Sequence, residues 1–378
     1  MPCLNEAETI GIVILKAKQW IKNRDIKAEI LVADNGSSDG SQLIATRLGA
    51  RLINVPQKGY GSALFYGCMA AKGKYIIMGD SDDSYNFSKL DPFIEKFDQG
   101  YELVMGNRFK GGIKPGAMPW KNRYIGNPIL SLIGRLFFPS SIRDFHCGIR
   151  GVTRKAFLKM DLRTTGMEFA SEMVIKATLF KMRIAEVPVI LSKDGRSRPP
   201  HLRPWRDGWR HLRFMLLFSP RWFFLAPGLF LFTSSLVIYS FLITGPLQIG
   251  DIIFDIHTLF FVEAGLVVGL LAILCGLIIK AIGIREGLFL NDTMLEKIRN
   301  SPILEYGGLI GLGLSGLGFY YGLFTLNTWK DLNFGAINQD MLLRYVSLSS
   351  SLILIGGVIV LWSMIMGFLT LPTREQRL

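Results

Sequence analysis

Cysteine is scarce: Cys3, Cys68, Cys147 and Cys275 are the four in 378 residues, and they show neither metal-ligand nor disulfide spacing. They read as reduced bystanders. No signal peptide is legible at the start, in keeping with a first domain that stays in the cytoplasm. A dinucleotide fingerprint is also missing, since Gly59-Tyr60-Gly61 opens a helix-like segment without the third glycine in its place. The looser reading is a helix amino end whose free N–H groups face an anion. The second part of the chain lacks net basicity. Residues 1 to 221 carry 35 Lys+Arg against 20 Asp+Glu, and the remainder 8 against 10.

What the second part has is apolar blocks. Crossing a hydrocarbon core takes about 20 residues, and four segments reach that length, near 222–244, 258–279, 306–326 and 346–371. The loop 245–257 has no Lys or Arg, whereas 280–305 holds Lys280, Arg285, Lys297 and Arg299, and the tail holds Arg374 and Arg377. By the excess of positive charge the second and fourth connections, and the basic domain before the first span, face the cytoplasm. Glu263 in the second span is a functional candidate, or reaches the interface from near one end. Gly307, Gly311, Gly318 and Gly322 in the third span permit close helix packing, within the bundle or in a homo-oligomer.

In the basic part, apolar runs alternate with helical periodicity. Ala28–Ala33, Arg51–Val55, Lys74–Met78, Leu103–Gly106 and Ala185–Leu191 read as strands. Ile10–Trp20, Ser41–Leu48, the stretch from Gly59 to about Ala71, Leu90–Asp98, Asn122–Leu136 and Glu168–Phe180 read as helices, with an irregular segment at Asp144–Arg150. That order predicts an α/β fold with a mostly parallel sheet. Acids stand at two strand ends, Asp34 after Ile30–Ala33 and Asp80-Ser81-Asp82-Asp83 after Lys74–Gly79, the edge where open α/β sheets bind ligands. Asp-x-Asp on extended backbone points two carboxylates the same way, leaving a divalent ion open positions for phosphate oxygens. The same residues also make good turn composition. Residues 193–221 hold eight bases and two acids, and Arg206, Arg210 and Arg213 share a helical face beside Trp209, as in an amphipathic helix at a membrane surface.

Seven motifs in order complete the reading: Pro2-x-Leu4-Asn5-Glu6, Ala33-Asp34-Asn35-Gly36-Ser37-Ser38-Asp39-Gly40, Gly59-x-Gly61-x-Ala63-Leu64, Asp80-x-Asp82, Gly106-Asn107-Arg108-Phe109, Asp144-x-x-Cys147-Gly148-x-Arg150 and Glu168-Phe169-x-x-Glu172. Together they resemble the family-2 glycosyltransferases, in the dolichyl-phosphate mannose synthase-like branch that charges polyprenyl phosphates. The resemblance covers about residues 2 to 221. It implies a GT-A catalytic domain over 1–192, tethered in this branch by two to four membrane helices; the basic interfacial segment over 193–221 and the four apolar spans, an α-helical membrane domain of four transmembrane helices over 222–378, fit that plan.

Carried over by position, the resemblance implies that Pro2, Asn5, Glu6 and Asp34 border the nucleotide. Asp80 and Asp82 would hold Mg²⁺ or Mn²⁺ and the donor diphosphate, with Ser84 as a further polar ligand. Arg108, Arg123, Asn127, Arg196 and Arg198 would face donor or acceptor phosphates. Glu172 would stand near the reaction centre, or else orient Arg108 or a sugar hydroxyl. The implied activity is inverting transfer of a hexose from GDP-mannose or UDP-glucose to a polyprenyl or dolichyl phosphate at the membrane, with no nucleic-acid partner.

Two departures stand out. Family members carry an apolar strand just before Pro-x-x-Asn-Glu, and here that motif opens the sequence. A missing central strand exposes its neighbours' backbone edges, so either the true start lies upstream or the protein is impaired. Asp83 replaces an apolar residue, a third acid that shifts metal preference or sits in solvent. A processive polysaccharide synthase is the nearest enzymatic alternative, but its Gln-x-x-Arg-Trp signature is absent; Phe218 precedes Arg221-Trp222. A non-catalytic membrane-bound module that binds lipid or nucleic acid would use the basicity and leave the strand-end acids unexplained.

Overall fold

A computed structural model describes residues 1–197, 204–289, 293–335 and 340–371. The chain divides into two compact units, Met1–Phe218 and Ser219–Leu378. In the first, the elements run β1 (Pro2–Cys3), α1 (Ile10–Arg24), β2 (Leu31–Asp34), α2 (Ser41–Arg47), β3 (Arg51–Asn54), α3 (Tyr60–Ala70), β4 (Tyr75–Met78) and α4 (Asp91–Asp98). They continue with β5 (Leu103–Asn107), α5 (Arg108–Gly111), a π-helical turn (Asn122–Gly126), α6 (Asn127–Phe137), β6 (Arg150–Thr153), α7 (Arg154–Met160), α8 (Phe169–Leu179), β7 (Ile184–Pro188) and α9 (Pro204–Leu217).

The strands form a parallel sheet β1-β2-β3 and a mixed sheet β4-β6-β5-β7, in which β6 runs against both its neighbours and β7 runs parallel to β5. Parallel pairings prevail. β6 and α7 have no counterpart in the sequence reading, because Arg-Gly-Val-Thr offers few β-formers and its place depends on partners distant in sequence. Phe93 and Phe97 of α4 pack against Val104 and Val187 on one face, and Phe157, Phe169 and Met173 pack against Met105 and Val152 on the other.

Among the described residues the two sheets do not join: β1 is two residues long and pairs with β2, while β4 is paired to β6 alone. Between β2 and β4 lies a cavity of about 300 Å³ whose walls include Met1, Leu31, Ala33, Cys68, Ile76 and Met78. The Met1 ammonium donates to the Leu31 carbonyl at 2.9 Å, and burial lowers its pKa. Burial also pushes the Cys68 and Cys147 thiols up to about 12, which leaves them protonated and inert.

The second unit contains a π-helical turn (Arg221–Leu225), α10 (Ala226–Leu242), a hairpin of β8 (Leu247–Ile249) and β9 (Ile252–Phe254), α11 (Ile256–Arg285), α12 (Thr293–Asn300), α13 (Ile303–Asp331) and α14 (Asp340–Thr370). Among the described residues four helices are long and apolar enough to cross a membrane: Arg221–Leu242, Ile256–Arg285, Ile303–Asp331 and Met341–Thr370. The α13 glycines face α14 directly: a Cβ on Gly311 would lie 2.6 Å from the Gly356 carbonyl oxygen, and one on Gly307 2.6 Å from the Ser363 Cβ. Glu263 is buried, with Ser347 and Ser350 donating to its carboxylate and Tyr239 joining the same hydroxyl network.

Candidate active site

Two loops at the carboxyl ends of β1 and β2 hold each other. Asp34 accepts from the Gly36 and Ser37 amides at 3.0 and 3.1 Å and from the Gln42 side chain at 2.6 Å, which fixes the Ser/Gly turn. From the other loop, Asn5 takes a left-handed backbone (φ 56°), a conformation asparagine tolerates. Its Oδ1 accepts from the Ser38 amide at 2.8 Å, and its own amide donates to Ser37 Oγ at 2.9 Å. Asp39 accepts from the Ala7 amide, and Ser41 Oγ from the Glu6 amide. Pro2 enters through its carbonyl, which accepts from Ser81 Oγ at 2.6 Å.

Beyond β4 the acids diverge. Asp80 is half-buried and accepts a hydrogen bond from the Tyr60 hydroxyl at 2.9 Å. Burial first, and then the charge of Asp82, push its pKa up to about 6, against the opposing pull of Tyr60, Arg150 and Arg196. Asp82 turns to Arg196 at 2.7 Å, and its Oδ1 accepts from the Ser84 amide. Asp83 points to Lys16, 2.7 Å away, so the third acid is an ion-pair partner beside α1.

Arg196 gathers these pieces. Its guanidinium reaches Glu6 at 3.1 Å, Asp82 at 2.7 Å and Asp194 at 3.0 Å, with its side chain 10% exposed. Burial works against its charge, and Asp82 and Glu6 outweigh it, so its pKa is raised. The backbone of this segment is anchored too: Ser192 donates to the Ser84 carbonyl, Gly195 to the Asp82 carbonyl and Ser197 to Glu8. Asn5, Glu6, Glu8, Ser38, Asp39 and Arg196 line a cavity of about 300 Å³ at this edge.

Metal fit can be judged from the donors. Glu6, Asp82 and Asp194 share the Arg196 guanidinium, and Asp80, its pKa raised by burial and then by the charge of Asp82, is a further carboxylate of the same loop. Carboxylate oxygens suit Mg²⁺ or Mn²⁺. Among the described residues no three His, Cys, Asp or Glu side chains converge to enclose an ion. Asp80 and Asp82 are of the donor type that such an ion takes, and would supply two of its ligands.

Arg108 and Glu172 stand elsewhere than expected. Arg108 is locked to Asp144 by a two-pronged contact at 2.8 and 2.6 Å, with side chains 9% and 0% exposed. Glu172 is fully buried against Lys176 at 3.1 Å and accepts from the Arg163 and Thr164 amides and from Thr164 Oγ1. Both guanidinium and carboxylate are spent on the framework. Glu172 thereby holds the 163–166 loop, whose Thr165 carbonyl accepts from the Ser62 amide in the first turn of α3. Arg123 lies over the Tyr124 ring and Asn127 contacts Met118, both local interactions. Arg198 lies outside the described residues.

Tyr60, Gly148 and Arg150 carry roles that their motifs did not announce. A Cβ on Gly148 would fall 2.2 Å from Asp80 Oδ2, so only glycine lets the carboxylate sit there. Arg150 is 1% exposed, donates to the carbonyls of Ala170 and Cys147, and contributes its charge to the field at Asp80. Tyr60 was the unassigned position of a Gly-x-Gly. Nearby, Ser171 Oγ joins His146 Nε2 at 3.3 Å and His211 Nδ1 at 2.8 Å. Burial lowers the pKa of both rings, His211 to about 4.

Residues 1–160 match the model described as glycosyl transferase family 2, and residues 277–370 match that of the glycosyltransferase family 2 C-terminal transmembrane region. The low-salt glycan biosynthesis hexosyltransferase Agl6 of Haloferax volcanii is 34% identical over 344 residues, covering 89% of this chain and 81% of that protein. The dolichyl-phosphate hexose transferase of the same organism is 29% identical over 190 residues, covering 50% of this chain and 79% of that protein. Among solved structures, glucosyl-3-phosphoglycerate synthase from Mycobacterium tuberculosis, in complex with Mn²⁺, UDP-glucose and phosphoglyceric acid, aligns at a TM-score of 0.46 and 23% identity, over 57% of this chain and 76% of that one.

Proposed function

The chain belongs to the family-2 glycosyltransferases, and from that premise we propose that it transfers a hexose from GDP-mannose or UDP-glucose to a polyprenyl or dolichyl phosphate. The reaction takes place at the cytoplasmic face of the membrane. A phosphate oxygen of the lipid attacks the anomeric carbon from the side opposite the diphosphate. The new C–O bond forms as the old one breaks, so an α-linked donor gives a β-linked lipid phosphate sugar and a free nucleoside diphosphate. A lipid phosphate is already an anion near neutral pH and needs no strong base. That agrees with a site in which the expected acid, Glu172, is withdrawn into the framework.

The observation that carries this reading is Arg196 joining Glu6 of the first loop to Asp82 of the β4 loop, with Asp80 alongside. Asp80 and Asp82 would hold the divalent ion, which neutralises leaving-group charge when bound. Asn5, Glu6 and the Asp34 turn border the nucleotide. Arg196 exchanges carboxylate partners for diphosphate oxygens, and Arg108 and Glu172 position the surrounding loops.

Membranes containing the protein, incubated with labelled GDP-mannose or UDP-glucose and a polyprenyl phosphate, should yield metal-dependent label in a mild-acid-labile lipid. Asp82→Asn should abolish it. Label in long glycan would instead favour a processive synthase, and no label from either donor would refute the proposed pairing.

A further inference from the structure

The turn Gly59-Tyr60-Gly61 that opens α3 is pressed between two loops. On one side the Gly59 amide donates to Asn35 Oδ1 at 2.7 Å, beside the Asp34 turn. On the other side a Cβ on Gly59 would strike the Thr165 carbonyl oxygen, and one on Gly61 would lie 2.6 Å from that of Thr164 and 2.8 Å from that of Gly166. Close approach therefore requires both glycines. The helix end that a Gly-x-Gly offers to an anion is covered by these carbonyls, and the Ser62 amide donates to Thr165 at 3.1 Å. Glu172 secures the far side of the same loop through the Arg163 and Thr164 amides. Flanked by residues without side chains, Tyr60 is what the turn delivers. Its ring packs against the core that holds Leu64, Cys68 and Phe169, and its hydroxyl donates to Asp80 Oδ1 at 2.9 Å. Asp80 Oδ2 lies where a Cβ on Gly148 would strike it. A donor pins one carboxylate oxygen and a steric wall confines the other.

We propose, building on the sugar transfer described above, that Tyr60 is the positioning residue that presents the Asp80 carboxylate to the divalent ion, and that two loops clamp the α3 turn to keep this hydroxyl in place. A carboxylate that accepts one hydrogen bond keeps further lone pairs for a cation. The hydrogen bond orients the ligand before the ion arrives, and removing such a partner costs about 10–100-fold in metal affinity or activity. A phenol suits the task, because it donates from a rigid ring and brings no positive charge to repel the ion. The neighbouring acid is served differently. Asp82 is paired with Arg196 at 2.7 Å, a charge that competes with an entering cation, whereas Tyr60 can stay on Asp80 with the ion bound. The Gly-x-Gly of α3 thus serves the acids after β4 rather than an anion of its own.

The full chain in detergent is titrated with Mn²⁺ alone, the free ion being counted by its paramagnetic resonance signal. Wild type is compared with Tyr60→Phe and with Tyr66→Phe, a control on the same helix whose residue is 38% exposed. Tyr60→Phe keeps the ring that packs on the core and removes only the hydroxyl. Its Mn²⁺ dissociation constant should rise about 10–100-fold, while that of Tyr66→Phe should match the wild type. In the labelled-lipid assay the Tyr60→Phe deficit should close as Mn²⁺ is raised, which a loss of fold would not do. Equal or tighter Mn²⁺ binding by Tyr60→Phe would overturn the assignment, as would a deficit that no Mn²⁺ concentration relieves. A wild type that binds Mn²⁺ but labels no lipid would refute the sugar transfer alone, and the ratio of Mn²⁺ affinities would still decide the role of Tyr60.

Discussion

Asp80→Asn should make the first unit more stable and the enzyme inactive. The Asp80 carboxyl ionises at about 6 in the folded chain against an ordinary 3.8, so the fold favours its neutral form. That preference is fully available below pH 3.8 and is lost as pH rises through 6. At neutral pH the gap corresponds to at most about 3 kcal/mol of destabilisation, and the solvent edge that Asp80 retains lowers this to about 2. Asparagine keeps an acceptor for the Tyr60 hydroxyl and carries no charge beside Asp82. Thermal unfolding of the purified chain with a chelator present should therefore show a higher midpoint at pH 7.5, by roughly 4–8 °C at 2–4 °C per kcal/mol. The advantage should shrink towards pH 4. Sugar transfer should fall at least about 100-fold, since the lost carboxylate would no longer hold the cation that neutralises the leaving diphosphate. A variant that is less stable in chelator, or whose advantage ignores pH, would refute the burial-and-repulsion account of Asp80.

Glu172→Gln leaves Lys176 charged and fully buried, which should cost about 3–5 kcal/mol and reduce activity through loss of fold. Glu172→Gln with Lys176→Met should recover both stability and transfer; a stable but inactive double variant would return Glu172 to the chemistry. Protonation of the His146–Ser171–His211 cluster should loosen α9. His211 titrates at about 4 rather than 6.5, so its contribution is present above pH 6.5 and is lost as pH falls towards 4, in a site facing His146, Arg150, Arg210 and Asp207. Amide exchange over 204–217, corrected for intrinsic rates, should be faster at pH 5 than at 7.5, and equal protection would count against it. The Asp80 comparison is insulated from this effect because both proteins carry the same histidines.

Elements with strong local pattern were legible in place and type but not at their ends: α1 runs to Arg24 where the periodicity reads Ile10–Trp20, and α11 to Arg285 where the apolar block reads 258–279. Ile10–Arg24, Tyr75–Met78 and the four long apolar helices follow from periodicity, β-forming runs and span length, and the acids at the ends of β2 and β4 follow from where those runs stop. Side-chain alliances between distant segments were not legible. Glu172 and Arg108 occupy positions that a motif marks as chemical, yet each meets a buried opposite charge, Lys176 and Asp144, and is used up there.

Local chemistry alone determined where strands end in carboxylates, which part of the chain is basic and which segments suit hydrocarbon, because each depends on composition within about one element. Tertiary structure decided which carboxylates keep an open face and which are neutralised. That depends on Coulomb interactions and desolvation, which change steeply over a few ångströms and are set by residues such as Glu6, Asp82 and Arg196 that only the fold brings together.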